Sequence, residues 1–509
     1  MSKLNSNATS ISKTTRSHEG GTIFKASAYQ ELCDRVLTSF YGENKFYESA
    51  DEATKSLIKV ITKVANEDPI FVAKLAVLAR EQFKLRTISQ VLISELSRIY
   101  RGDERMKHAI ARVIQRPDDM TEILSYILSY SELHTTSNGR KRNKKKRIPN
   151  SIKKGIAIAV QKFDEYQLSK YNSSKKTVKL KDVFNIVHPK PKDNEQASHW
   201  KALLNGTLKQ AETWERKISE TGKSENSELA KSEAWENLIM NNKLGYMATL
   251  RNINNFLSAN ISKEAHAKVC SYLSNETAVY NSKQMPFRFY SAYKIITENS
   301  RNNDPFVIKQ YLKALNTAIR YSVKNLTKID GRTMVVVDTS GSMSSAVSQH
   351  STMTCAEIGC LMGSIVNEMC DDAIIAAFAT DFKIVDLSGD NLLDQAHKIM
   401  GTQTGYGTNV HLIFDWLLEN NINVNNIIIL SDMQVVSGVQ KAIRNYKKKI
   451  NPELVIYEWN LRSYGDTLTD ASNPNHVKLT GWHDNMIKFV AEYKTMRKGI
   501  LDMVNSVNL

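Results

Sequence analysis

The feature that most constrains the fold is a change of hydrophobic period about two thirds of the way along the chain. Up to residue 323, apolar residues recur at helical spacing in Ser56–Val64, Phe71–Phe83, Ile88–Ile99, Met106–Ile114 and Ile123–Leu128. A helix turns every 3.6 residues, so this spacing gathers the apolar side chains on one face. The stretch 24–323 therefore reads as helix after helix. From Thr333 the grammar differs. Met334–Val337, Ala373–Phe378, Ile427–Leu430 and Leu454–Trp459 are unbroken apolar runs, and helical stretches follow at Met353–Met369, Val410–Leu418, Val439–Ile450 and Met486–Val504. Strands buried on both faces and joined through helices make a parallel, doubly wound sheet. Ile384–Leu387 reads as an extra edge strand. A chain of 509 residues exceeds what one core organises. The expectation is a multidomain protein: a polar tail over 1–20, an all-α domain over 21–327, and an α/β doubly wound, Rossmann-like domain over 328–509.

Within the helical part, Asp68-Pro69 reads as a cap followed by the first helical position, and Arg116-Pro117 ends one helix and permits the next. Asp68-Pro69-Ile70-Phe71-Val72 is echoed by Asp304-Pro305-Phe306-Val307, with Lys74 and Lys309 at matching places. Pro69 and Pro117 lie 48 residues apart, near the period of paired-helix repeats, which favours an α-solenoid over a bundle.

The chain carries a net charge of +16, which favours a polyanionic partner such as nucleic acid, the alternative being a merely soluble basic protein. The excess is concentrated in Arg140, Lys141, Arg142, Lys144, Lys145, Lys146 and Arg147, between Gly139 and Pro149. No packed core holds such a run, so it is a solvated loop or arm. Each phosphate it neutralises releases a counterion, giving salt-sensitive RNA or DNA contact. The five cysteines have no CxxC spacing, so reduced thiols in a cytoplasmic protein are expected rather than a zinc or disulfide framework. The polar N-terminus is not a secretory signal, and no apolar run reaches the roughly 18 residues a membrane span needs.

A candidate metal centre follows the first buried strand. Asp338 closes that strand, and in doubly wound sheets ligands bind beyond the carboxyl ends of the strands. Gly341 allows a sharp turn that brings Ser340 and Ser342 to one point. Thr408, in Gly405-Tyr406-Gly407-Thr408-Asn409, and Asp432, after the Ile427–Leu430 strand, complete an oxygen set. Carboxylates and hydroxyls are hard donors, so the cofactor expected is a divalent metal, Mg²⁺ first.

Asp338-x-Ser340-x-Ser342, then Thr408, then Asp432, resembles the metal-ion-dependent adhesion site of von Willebrand A domains. Arg116-Pro117-Asp118-Asp119, the run from Phe163 to Tyr171, His188-Pro189-Lys190-Pro191, Leu250-Arg251-Asn252-Ile253 and Met285-Pro286-Phe287-Arg288 resemble the TROVE module of Ro autoantigens. The order of the two halves is similar to that of bacterial-type Ro proteins. The resemblance implies a monomeric ring of HEAT-like helical repeats closed by the A domain. It implies small noncoding Y-like RNA on the outer surface, and single-stranded 3′ ends of misfolded RNA in a central hole. In bacterial relatives it further implies association with polynucleotide phosphorylase. Lys170, Lys181, His188 and Lys190 are the candidate RNA contacts, Lys190 being presented by the prolines on either side. Arg86 and Arg288 are weaker candidates that serve equally as partners of helix carboxylates. Two departures stand out: the 140–147 run is outside the family pattern, and Met433-Gln434 after Asp432 is less polar than the pattern there.

Three functions compete on these residues. The first is a non-catalytic RNA-binding scaffold engaged in RNA quality control. The second is an adaptor whose metal bridges to an acidic residue of a protein partner. The third, a metal-dependent hydrolase, has no HExxH, no GxSxG and no base beside Ser340 to support it.

Overall fold

Asp68 turns the first echo motif into structure: its carboxylate accepts the Phe71 N–H at 2.9 Å, and helix Pro69–Glu81 begins at the proline, where no N–H needs a partner. Asp304 does the same for Phe306 at 2.9 Å, ahead of helix Pro305–Val323. The computed structural model describes residues 14–509 apart from 19, 39–49, 131–147, 223–225, 285, 324–327, 348–352, 390, 437, 463–465, 471–472, 474, 482–489 and 491–499. The basic run 140–147 and most of the expected Met486–Val504 helix lie outside the described residues.

The chain forms two compact units. One comprises the described residues of Ala26–Ala211 together with Lys498–Leu509. Its helices include Ala50–Glu67, Pro69–Glu81, Thr87–Ile99, Glu104–Val113 and Pro117–Tyr130, so each predicted helix is present and starts earlier than its apolar stretch, while Pro69–Glu81 ends two residues before Phe83 and Glu104–Val113 one before Ile114. Asn150–Val160, Glu165–Tyr171, Leu180–Val187 and Asn194–Asn205 follow. The late helix Ile500–Asn505 packs against Pro69–Glu81, with Lys74 Nζ donating to the Asn505 carbonyl at 2.7 Å.

The other unit comprises the described residues up to Lys25, Glu212–Arg462 and Asp466–Arg497. Its strands are β1 (Thr14–Arg16), β2 (Thr22–Lys25), β3 (Thr333–Asp338), β4 (Ala373–Phe378), β5 (Phe382–Ile384), β6 (Asn426–Ser431), β7 (Val455–Asn460), β8 (Asp466–Thr467) and β9 (His476–Thr480). Six of them form a sheet in the order β5-β4-β3-β6-β7-β9. All pairs are parallel except β4 with the edge strand β5. The edge strand sits slightly earlier than Ile384–Leu387, because Phe382 pairs with Phe378 across a tight turn. On one face, Val336, Phe378, Ile429 and Ile456 pack with Ile413, Phe414 and Tyr446 of the crossover helices. The opposite face takes helix Cys355–Met369, which approaches so closely that a Cβ on Gly363 would lie 2.7 Å from Val337.

Two findings depart from the sequence boundaries. Residues 14–20 fall inside the expected polar tail, but Thr14–Arg16 is a strand paired with Thr22–Lys25, which pairs in turn with β8. Ile23 is wholly buried in the core of the α/β sheet, and that burial holds the hairpin in place. The secondary structure changes between Val323 and Thr333, near the expected boundary, but the packing divides at Ala211 and Glu212. Helices of 212–323 pack with the α/β part: Lys294 pairs with Glu357 at 2.6 Å, and Ser291 Oγ donates to Met353 Sδ at 2.7 Å. All five cysteines are free thiols, and burial pushes Cys270 up to about 12 and Cys370 to about 11. Among the described residues no helix is long and apolar enough to cross a membrane.

Candidate functional site

β3 is the first strand of the sheet in chain order, with β4 on one side and β6 on the other. The winding reverses between β3 and β6, and that reversal opens a crevice at the carboxyl ends. Asp338 is the last residue of β3 and Asp432 follows the last residue of β6, so both carboxylates arrive at this point. Asp338 is 0% exposed and Asp432 1%. Asp338 Oδ1 accepts the Ser340 N–H at 2.8 Å, and its Oδ2 accepts the Ser431 hydroxyl. A carboxylate offers about four lone-pair sites, so both oxygens keep capacity for a cation.

The turn after β3 is a single 3-10 turn, Gly341–Ser344. It sets the Ser340 and Ser342 hydroxyls 3.3 Å apart, and both residues are buried. The Gly341 N–H donates to the Tyr406 carbonyl at 3.0 Å, which ties this turn to the Thr408 loop. That loop needs its glycine: Gly405 has φ +88, and a Cβ there would meet Thr380 Oγ1 at 2.7 Å. The same hydroxyl instead accepts the Tyr406 and Gly407 N–H groups at 3.2 and 2.9 Å. The Val436 N–H donates to the Thr408 carbonyl at 3.1 Å and joins the Asp432 loop to the assembly. All five sequence-predicted residues thus stand on three loops bonded to one another.

Thr408 is 0% exposed, and among the described residues its hydroxyl oxygen has no hydrogen-bond partner. A buried hydroxyl left this way costs roughly 1–3 kcal/mol, which a ligand at the site would offset. Two carboxylates and three hydroxyls are the hard donor set a divalent cation of the Mg²⁺ class takes. Among the described residues no group of three His, Cys, Asp or Glu offers a competing soft or carboxylate-rich site.

Met433 and Gln434, the departure from the family pattern, have a structural reason. Met433 adopts φ +64 and its side chain enters the sheet core. The Gln434 N–H donates to Asp432 Oδ1 at 3.2 Å, and Gln434 itself is wholly buried.

The TROVE domain family matches residues 37–207 and 196–302, and the Ro60 vWA domain family matches residues 332–494. This chain belongs to the Ro family. Its fold is that of the crystal structure of the Deinococcus radiodurans RO (RSR) protein, with a TM-score of 0.60 at 15% identity, covering 91% of this chain and 99% of that one. Telomerase protein component 1 of Mus musculus is 24% identical over 339 residues, 51% of this chain, and that of Rattus norvegicus 23% over 339 residues, 52% of this chain. The chain spans only 12% of the length of each of these curated relatives. As a member of this family it is a Ro-type RNA-binding protein.

The candidate RNA contacts of this Ro-family chain stand on neighbouring elements of the helical unit. Lys170 is exposed in the last turn of Glu165–Tyr171, and Lys181 is exposed in the first turn of Leu180–Val187. His188 caps the latter helix in a left-handed conformation, its N–H bonded to the Phe184 carbonyl at 2.9 Å, with its side chain exposed. Lys190 is exposed, and its carbonyl accepts Gln161 Nε2 at 3.0 Å, so its loop is anchored to the end of helix Asn150–Val160. Sequence reasoning overlooked Tyr166, which is 50% exposed four residues before Lys170 on the same helix. An exposed ring one turn from a lysine offers a base-stacking platform beside a phosphate partner. The signal was present, since Tyr166 fits no apolar face of its short helix.

Arg86 falls to its alternative reading. It is ion-paired to Asp118 at 2.8 Å and to Asp119 at 2.5 Å, and together these carboxylates hold its charge tighter than an ordinary guanidinium despite burial. Arg288 is exposed, and partial desolvation first, and the like charge of Arg251 second, lower its guanidinium.

Proposed function

We propose that this Ro-family protein is a ribonucleoprotein scaffold in RNA quality control. It binds a small noncoding Y-like RNA on its outer surface, and single-stranded 3′ ends of misfolded or decaying RNA in a central hole, without catalysing a reaction on them. The observation that carries this reading is the succession, in one chain, of a TROVE match over 37–302 and a Ro60-type A domain over 332–494. The exposed Lys170, Lys181, His188 and Lys190, with Tyr166 beside them, support contact with phosphates and an unstacked base. The net charge of +16 supports a polyanionic partner. Recruitment of polynucleotide phosphorylase and a cytoplasmic location belong to the same reading.

In this reading Asp338, Ser340, Ser342, Thr408 and Asp432 hold a divalent cation, Mg²⁺ first. When bound, the cation supplies an electrophilic point that an anionic oxygen from outside can share. The chain's own residues fix the loops and exclude water: Thr380 pins the Gly405–Gly407 backbone, and Ser431 orients Asp338.

The test is a gel-shift competition at fixed salt between one hairpin RNA with a single-stranded 3′ tail and the same hairpin made blunt. Preference for the tailed form, graded by tail length more than by tail sequence, is expected. Equal competition by the blunt form removes the central-hole mode and leaves only outer-surface binding.

A second reading has one specific observation behind it. Tyr406, two residues before Thr408, is 83% exposed, and Val436 nearby is 44% exposed. An apolar rim beside a cation suits a protein partner that presents an acidic residue. Binding of a partner protein that is abolished in Asp338→Ala, with RNA affinity unchanged, selects this adaptor reading.

A further inference from the structure

The residues that hold Asp432 in place include some that are more than 400 positions away from it. Asp432 is followed by Met433 at φ +64, a backbone region that costs a residue with a Cβ roughly 1–2 kcal/mol. Such a conformation persists only where its surroundings over-determine it. On the inner side, the Met433 N–H donates to Ser431 Oγ at 2.9 Å, and the Gln434 N–H donates to Asp432 Oδ1 at 3.2 Å. On the outer side, the bonds come from the turn between β1 and β2. The Gly21 N–H donates to the Val435 carbonyl at 2.9 Å, and the Ser17 hydroxyl donates to the same oxygen. The His18 N–H donates to Gln434 Oε1 at 2.9 Å. Ser17 and Gln434 are both buried, so these bonds are shielded from water. The turn is itself closed by Gly21 N–H to Ser17 Oγ at 3.0 Å and is anchored by Ile23 in the sheet core.

The geometry points to Ser17, His18 and Gly21 as positioning residues of the metal centre: the turn Ser17–Gly21 clasps Gln434–Val435 and so fixes the Asp432 carboxylate and, through the Val436 bond to the Thr408 carbonyl, the Thr408 loop. The Ro60-type A domain match begins at residue 332, so these residues lie outside the segment that carries the ligands. The A domain of this chain is discontinuous, and the affinity of its metal centre is set partly from residues 17–21. The inference rests on the metal reading given above.

The experiment measures binding of Mn²⁺ alone to the full chain by electron paramagnetic resonance, at a temperature where every variant is folded, and separately records the Tm in EDTA. The proteins are the wild type, Ser17→Ala, Ser17→Thr, a deletion of residues 14–21, and Asp338→Ala. Outer-shell partners of metal ligands typically contribute about 10–100-fold in affinity. Ser17→Ala is expected to weaken Mn²⁺ binding by about tenfold, and Ser17→Thr, which keeps the hydroxyl, to stay within about twofold of wild type. Should the deletion fail to fold, the Ser17 pair decides the matter. A Ser17→Ala protein whose Tm in EDTA falls while its Mn²⁺ affinity matches wild type overturns the clasp and leaves a purely structural hairpin. Equal Mn²⁺ binding by wild type and Asp338→Ala removes the metal reading itself, and the clasp with it. The two failures differ in which variant matches wild type.

Discussion

Arg80 and Asp119 meet across 39 positions of sequence, Nη2 to Oδ2 at 3.0 Å, with the Asp119 side chain wholly shielded from water. Asp119 also accepts Arg86 Nε and Gln90 Nε2 on its other oxygen, and the N–H groups of Gln115 and Arg116 at 2.9 Å each. One carboxylate therefore binds helices Pro69–Glu81 and Thr87–Ile99 to the start of Pro117–Tyr130. The Arg116-Pro117-Asp118-Asp119 motif of the Ro family is architectural in this chain.

Removal of the Asp119 charge leaves two guanidinium groups without their shared partner. Breaking a buried pair from one side typically costs about 3–5 kcal/mol, so Asp119→Ala should destabilise the helical unit by that order, read as a shift of the urea midpoint. The pH dependence has a definite sign. Burial raises the Asp119 carboxyl, but Arg86, Arg80 and the Gln115 N–H outweigh it, and the folded value lies below the ordinary one. The stabilisation is therefore complete above the unfolded value of about 3.9 and is lost as pH falls through the folded value. Asp119→Asn should flatten the acid limb of the stability curve below about pH 4. An unchanged acid limb refutes the assignment.

Mg²⁺ should raise the Tm of the wild-type protein, because a ligand bound only to the folded state stabilises it by mass action. The same addition should leave Asp338→Ala unmoved, and RNA affinity should be largely retained, since every proposed ligand lies in the α/β part. Differential scanning fluorimetry with and without EDTA reads the first, and a gel shift reads the second. Equal Mg²⁺ stabilisation of both proteins contradicts the role of Asp338.

The basic run should govern the salt dependence of RNA binding. Replacing Arg140, Lys141, Arg142, Lys144, Lys145, Lys146 and Arg147 with serine should flatten the slope of log affinity against log salt, by about 0.7–0.9 for each phosphate that is no longer neutralised. An unaltered slope assigns the run to solvent.

Tyr166 and Lys170 should be separable. Tyr166→Ala should weaken binding by about 1–3 kcal/mol if a base stacks there, with the salt slope kept. Lys170→Ala should reduce the slope by roughly the share of one phosphate, with a smaller effect at high salt. Tyr166→Ala binding at wild-type strength shows a ring that touches no base.

How much of this was legible in the sequence depended on whether polarity followed burial. β3, β4, β6 and β7 are apolar because both faces are covered, and each was read within a residue or two of its bounds. β9 escaped because Lys478 interrupts it, yet Lys478 is buried against Glu458 at 2.6 Å, a pairing that periodicity cannot register. β1 and β2 escaped because a single residue, Ile23, supplies their anchor to the core. The five residues that the three loops bring together were legible because each lies at the end of a strand, in the turn after one, or in the loop ahead of a helix. The clasp on Asp432 was not, since its bonds come from backbone N–H groups and one serine, none of which has a sequence signature.

The hairpin at Thr14–Lys25 and the helix Ile500–Asn505 each belong to the unit built mainly from the other end of the chain. A ribosome emits residues in order, so Ile23 waits in the open until the strands near residue 430 have emerged. The groove on Pro69–Glu81 stays bare until residue 505 is free. Neither unit holds all of its own residues until those from far along the chain have been made. Severing the gene at the change of hydrophobic period would yield two products, each lacking the piece that its counterpart carries.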